Sequence, residues 1–226
     1  MKKINVKGAI VGNADKRIYE WFGIDATCPK DISDAIEEAR GEPIVVEINS
    51  GGGDIFAGSE IYTALKGYPG DVEVQIVGLA ASAASVIAQA GKSKISPTAL
   101  FMVHNVSGSA YGDYRDMVHK AKVLETANRS IANAYMKKTG KTMEELQNIM
   151  DHETWMDARK AVEYGFVDEV MFYETPVLAN GIGVLSAETI TKMKKTIGNP
   201  QADADFFMAK TKLQLLKMKG EMRNEV

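Results

Sequence analysis

The stretch GLAASAASVIAQAG, residues 78–91, sets two serines three residues apart among alanine and glycine, directly after the alternating run VEVQIVG (72–78). Period-two alternation marks a half-buried strand, and the small apolar run that follows marks a closely packed helix. Two readings of Ser82 and Ser85 compete. Small residues let backbones approach, so both serines can be packing residues. A serine at a strand-to-helix turn can also be a nucleophile, provided that a base stands within reach.

Outward from this unit the pattern repeats. INVKGAIV (4–11) and PIVVEIN (43–49) read as strands. PKDISDAIEEAR (29–40) puts Ile32, Ala35, Ile36 and Ala39 on one helical face, with Pro29 near its start. SGGGDIFAG (50–58) is a glycine-rich break leading into a helix over 57–67, and KIS (94–96) and LFMVHN (100–105) are short strands. After the glycine- and serine-rich loop SGSAYGD (107–113) comes the longest helical pattern, 114–138. Met117, Ala121, Leu124, Asn128, Ile131 and Tyr135 fall near one of its faces, and TG (139–140) ends it. Thr142 and Glu145 have capping-box spacing, Asp157 is placed to cap ARKAVEY, and Gly165 to stop it. FVDEVMFYE (166–174) reads as a further strand. Strands alternating with helices predict a layered α/β domain of ββα or βαβ units.

The character changes around Pro176–Gly183. The expected division is a domain over 1–175 and a polar linker with a basic helical tail over 176–226. From Lys192 onward eight basic residues face four acidic ones, so the tail carries +4 and the remainder −7. A solvated helical extension is the simplest reading of that tail.

The bulk numbers exclude several classes. With 226 residues, 45% hydrophobic and 25% charged, the chain has the composition of a globular protein that can bury a full core. A net charge of −3 gives no general reason for nucleic-acid binding. A lone Cys28 forms no internal disulfide, which fits a reducing cytoplasm. No apolar run approaches the ~20 residues of a membrane span, and MKKINVKGAIVGN lacks the pattern of a signal peptide. NSGGGD lacks the Gly-Lys-Ser/Thr ending of a phosphate loop and does not fit G-x-G-x-x-G. It is either a tight turn or a set of N–H groups suited to an oxyanion. No metal or cofactor is expected.

Three histidines are available as a base. His119 lies within the long helical pattern, and His152 sits in a turn-like MDHETW. His104 ends an apolar strand and opens onto the glycine-rich loop, where catalytic groups of α/β sheets gather. A core or loop role and a base role both remain open for it on the residues alone.

Four segments, VVEINSGGGDIFAGSEIYTAL, GLAASAASVIAQAG, LFMVHNVSGSAYGD and TWMDARKAVEYGFVDEV, together resemble the proteolytic subunit of the Clp protease, in order and with compatible gaps over about 4–173. The GGG turn and the ETW segment resemble its phage and prophage branch. The resemblance implies a ClpP/crotonase-like spiral of ββα units with a protruding handle helix, here 114–138, followed by a C-terminal helical extension. It implies a Ser-His-acid serine endopeptidase working as an oligomeric ring, heptamer or double ring, on protein or peptide substrates. Ser82 falls on the nucleophile and His104 on the base. Ungapped counting from AVEYG puts the third member on Glu153, with Asp151 as the fallback. Gly53 and Ala83 supply the oxyanion N–H groups, Gly52, Ser107 and Gly108 contact substrate, and Ser85 becomes a small packing residue. Partners implied are a Clp-type ATPase or, in the phage branch, capsid and scaffold proteins during prohead maturation, in the host cytoplasm. Three departures stand out: Gly51 where the family has proline, Ala83 where it has methionine, and a short N-terminus that weakens the case for ATPase coupling. A catalytically inactive ring scaffold is the alternative reading.

Overall fold

Apolar alternation in this chain becomes a central parallel sheet. A computed structural model describes residues 1–172 and two short strands beyond them, at 178–179 and 184–185. In chain order come β1 (Lys2–Ile10), α1 (Lys16–Trp21), β2 (Ala26–Thr27), α2 (Pro29–Ala39), β3 (Ile44–Gly53), α3 (Ile55–Lys66), β4 (Val72–Ala81) and α4 (Ala83–Ile87). There follow β5 (Lys92–Ile95), β6 (Leu100–Val103), α5 (Tyr114–Thr139), α6 (Met143–Asp151), β7 (Thr154–Asp157), α7 (Ala158–Glu163) and β8 (Glu169–Val170). The strand order is β2-β1-β3-β4-β5-β8, all parallel.

β4 has two partners on the same side. Its first half, Glu73–Ile76, pairs with β5, and its last residues, Leu79–Ala81, pair with β6. β7 then returns antiparallel on β6. This split brings the end of β4 beside the end of β6, and both candidate residues, Ser82 and His104, sit just past those ends. β9 (Leu178–Ala179) and β10 (Val184–Leu185) form an antiparallel pair of their own.

Val46 and Ile48 of β3, Val74 and Ile76 of β4, and Ile61 of α3 are fully buried between sheet and helices. Each such side chain contributes roughly 1.5–3 kcal/mol by leaving water. Phe101, Tyr135 and Phe166 form an aromatic cluster, with ring centroids 5.6 Å apart for Phe101–Phe166 and 5.4 Å for Tyr135–Phe166. It fastens the last turns of α5 to the sheet. The N-terminal half of α5 stands exposed, with Met117 and Val118 open to solvent.

Local chemistry sets the helix ends as expected. Pro29 starts α2, Asp113 caps α5 through the N–H groups of Arg115 and Asp116, and Gly140 ends it at φ 70°. Thr142 and Glu145 form the capping box of α6, Asp157 caps α7, and Gly165 follows its C-cap at φ 82°. Cys28 is buried at the start of α2, where its N–H donates to Asp31, so its place is structural.

Several boundaries differ from expectation. SGGGD is not a break: β3 runs through Gly53, with Gly52 opposite Ala9 and Gly53 opposite Ile10. Gly52 at φ 92° and Gly53 at φ 150° let the backbone stay paired while it turns toward α3. Asp54 then caps α3, which begins at Ile55 instead of residue 57. Among its described residues, FVDEVMFYE yields the two residues of β8, because Phe166 and Val167 fold into the core through bonds to the Ala161 carbonyl. LFMVHN stops being strand at Val103. α1 has no buried residue and so no apolar period to read. The compact unit ends at Phe172. The boundary expected at 175/176 and the basic helical tail expected within 176–226 lie outside the described residues. Among the described residues no helix is long and apolar enough to cross a membrane, and no group of three or more His, Cys, Asp or Glu is placed to hold a metal.

One ion pair ties α5 to the sheet. Lys138 donates to Asp168, whose carboxylate also accepts from the Ser93 N–H at 2.6 Å and hydroxyl at 3.2 Å. Burial alone would raise the Asp168 pKa, but the Lys138 and Ser93 donors outweigh it and hold the carboxyl below its ordinary 3.8. A depressed folded value stabilises the fold in full above pH 3.8, and that stability is lost as pH falls through the folded value. Melting temperature measured against pH should therefore fall more steeply below about pH 4 in the wild type than in Asp168→Asn. Parallel curves would contradict this.

Candidate active site

Ser82 stands between β4 and α4 in a conformation that non-glycine residues rarely adopt, φ 54° and ψ −124°. Such a backbone costs on the order of 1–3 kcal/mol and persists only where the surroundings over-determine it. Here they do. The Ser82 N–H donates to the Met102 carbonyl of β6 at 3.2 Å. Its carbonyl accepts from the N–H groups of Ser85 at 3.0 Å and Val86 at 3.4 Å. The result is a sharp strand-to-helix elbow that lifts a serine hydroxyl out of the sheet.

His104 lies just past β6, half-buried, and its Nε2 is 2.8 Å from Ser82 Oγ. The structure thus joins two residues 22 positions apart in hydrogen-bond contact. His119 is exposed on α5, and His152 Nδ1 donates to the Asn148 carbonyl at 2.7 Å, closing the end of α6.

The acid is not in contact. Glu153 is exposed, at φ 44°, and its Oε1 accepts from the Trp155 indole at 3.2 Å. Asp151 accepts from the Asn105 amide at 2.7 Å. Among the described residues neither carboxylate reaches His104. They differ in place: the antiparallel ladder of β6 and β7 ends at the Val103–Thr154 pair, and His104 and Glu153 are the residues that adjoin that pair, Glu153 already out of strand conformation.

Gly52 is built into the elbow. A Cβ there would lie 2.6 Å from the Ala81 carbonyl oxygen, 2.7 Å from Ser82 Cβ and 2.9 Å from the Ala83 nitrogen. Two of these are backbone atoms, so nothing cheap can yield, and φ is 92° besides. Gly52→Ala should cost about 2–4 kcal/mol of stability, read from denaturant midpoints. The folded fraction should lose about a hundredfold in turnover as the Ser82 hydroxyl shifts against His104. An active, fully stable variant would refute the close approach.

The N–H of Ala83, first residue of α4, has no intrahelical partner by position. The Asp54 N–H donates to the Ile10 carbonyl at 2.8 Å, which ties the turn after Gly53 to the end of β1. Gly53 and Ser82 line one cleft of about 250 Å³, together with Phe56, His104, Ser107 and the face of α5 around Leu124. The loop carrying Ser107 and Gly108 leaves His104 along α5, where the Val106 N–H donates to Asn128 at 2.7 Å.

Ser85 proves to be more than a small side chain. It is fully buried, and its hydroxyl bonds the Ser82 carbonyl at 2.6 Å and the Tyr135 hydroxyl at 2.7 Å. A carbonyl only accepts, so Ser85 donates to it and Tyr135 donates to Ser85. Burial pushes the Tyr135 phenol well above its ordinary 10.0, which keeps it a donor. Tyr135 was legible only as a core position of the long helix. Its hydroxyl had no signal of its own in the sequence.

A family model described as Clp protease matches residues 34–174, more than half of the chain. The chain belongs to the Clp protease family. Membership makes it a serine-type endopeptidase, of a family that works as oligomeric rings. The ATP-dependent Clp protease proteolytic subunit 1 of Chlamydia muridarum is 34% identical over 138 residues, spanning 58% of this chain and 71% of that protein. Its counterpart in Chlamydia caviae is 30% identical over 174 residues, spanning 70% and 91%. Among solved structures, a point mutant of ClpP1 from Listeria monocytogenes superimposes with a TM-score of 0.63 at 23% identity, over 76% of this chain and 92% of that one. That similarity bears on the fold, which is the α/β parallel-sheet architecture expected.

Proposed function

We propose that Ser82, His104 and Glu153 are the triad of this peptidase, with the N–H groups of Gly53 and Ala83 as its oxyanion hole. The observation that carries the reading is the 2.8 Å contact between His104 Nε2 and a serine hydroxyl on a strained elbow. His104 takes the proton of Ser82 as Oγ attacks the substrate carbonyl, and two N–H groups receive the oxyanion. His104 then gives that proton to the leaving amine. Water enters, His104 activates it, and the acyl-enzyme is hydrolysed. Glu153 swings from Trp155 to accept from the imidazole Nδ1–H and holds the productive tautomer. Gly52, Ser107 and Gly108 border the path of an extended substrate, which pairs with the loop as an added strand.

The assembly we infer is a heptamer or double ring, stacked through α5, whose exposed N-terminal half supports that role. The substrates fall in one of two groups: proteins delivered by a Clp-type ATPase, as the names of the chlamydial relatives imply, or phage capsid and scaffold proteins cut during head maturation in the host cytoplasm. The GGG turn and the ETW segment favour the second. The test combines light scattering with hydrolysis of short peptides, casein and a folded tagged substrate. A ring-sized species that hydrolyses the peptides and casein is expected. A Clp-type ATPase with ATP should leave the rate on the folded substrate unchanged, and acceleration would move the protein to the first group. An assembled ring without turnover would make it an inactive scaffold.

A further inference from the structure

The cleft beside Ser82 has an unusual wall. Lys120, Leu124, Ala127 and Ile131 lie along one face of α5, so three apolar residues lead outward to one ammonium. Phe56 faces them from α3. Lys120 is half-buried, and its Nζ would lie 3.2 Å from a Cβ built on Gly108, so it rests against the loop that borders the substrate path. Among the described residues no carboxylate pairs with it. The carboxylate that shares the cleft wall, Asp54, is engaged in capping α3 through the Ala57 N–H at 2.7 Å. A partly desolvated cation with no protein counter-ion, at the end of an apolar slot, is complementary to an anion on an apolar stem.

We propose that Lys120 is a specificity-determining residue that selects an acidic side chain beside the scissile bond, glutamate above all. This rests on the peptidase reading above. The two methylenes of glutamate lie against the Leu124 and Phe56 walls, and its carboxylate meets the Lys120 ammonium near Gly108. Leucine fills the same slot but leaves the ammonium unpaired, and lysine or arginine meets it with like charge.

Cleavage-site mapping of an amidated, internally quenched peptide library by mass spectrometry tests this. Amidation removes the terminal carboxylate as a rival anion. The readout is the Glu-over-Leu ratio at each position flanking the cut, taken within each variant, so a general change in activity does not move it. Wild type should show Glu enriched at one flanking position. Lys120→Gln should lower that ratio about tenfold, which corresponds to ~1.4 kcal/mol, and Lys120→Glu should invert the preference toward Lys or Arg. Equal ratios in wild type and Lys120→Gln overturn the proposal while the peptidase reading stands. No cleavage by any variant, with Ser82 unreactive toward a fluorophosphonate, overturns both.

Discussion

Ser82→Ala is expected to lose on the order of 10⁵-fold in kcat on a peptide substrate while its melting temperature stays close to that of the wild type. The two halves of that expectation have separate causes. In the proposed triad the hydroxyl is the attacking atom, and Ser85 cannot replace it, because it is buried and bonded to the Ser82 carbonyl and to Tyr135. The fold, by contrast, gains little from the hydroxyl, whose bond is to a half-buried histidine. The backbone strain at φ 54° remains in the alanine variant. Ser82→Gly removes it and should raise stability by about 1 kcal/mol with the same loss of turnover. A stabilised but dead glycine variant would show that the elbow trades stability for the placement of one oxygen. His104→Ala should lose as much turnover as Ser82→Ala, and the double variant no more, because the two act as a unit.

Glu153→Gln should lose about 10²–10⁴-fold in kcat, whereas Asp151→Asn should change it little. The register of β6 and β7 is the reason. Its last pair is Val103–Thr154, which leaves Glu153 and His104 as the next residue of each chain segment, while Asp151 lies two residues further back at the end of α6. A neutral amide at position 153 cannot stabilise the imidazolium that forms during attack. Asp151 is held by the Asn105 amide, and its loss should loosen the segment after His104 without touching the proton path. Steady-state kinetics on the two variants decides between them. If Asp151→Asn is the damaged one, Asn105 is then a guide to the true acid, and the register argument fails.

Much of this architecture was legible in local chemistry. The alternation of β1 and β4, the capping residues Asp157 and Thr142, and the stop glycines at 140 and 165 act over a few residues and are readable there. The elbow was legible as well, because a serine between an alternating strand and an alanine-rich helix has few places to go. What stayed hidden depends on distant pairing. The glycine run read as a break because the partners of Gly52 and Gly53, Ala9 and Ile10, are 43 residues away. β7 was invisible because Thr154–Asp157 becomes a strand only against β6. The Ser85–Tyr135 bond spans 50 residues and unites two side chains that each looked like simple packing. The acid stayed hardest to read: motif counting points to Glu153, whose position adjoins the last β6–β7 pair, while its side chain lies on Trp155.

The central claim is that Ser82 is a nucleophile activated by His104. Fluorophosphonate labelling of the full chain, followed by peptide mapping, tests it most directly. One adduct on Ser82 is predicted, absent from Ser82→Ala and formed far more slowly in His104→Ala. An adduct on Ser85, or undiminished labelling of Ser82 without His104, would contradict it.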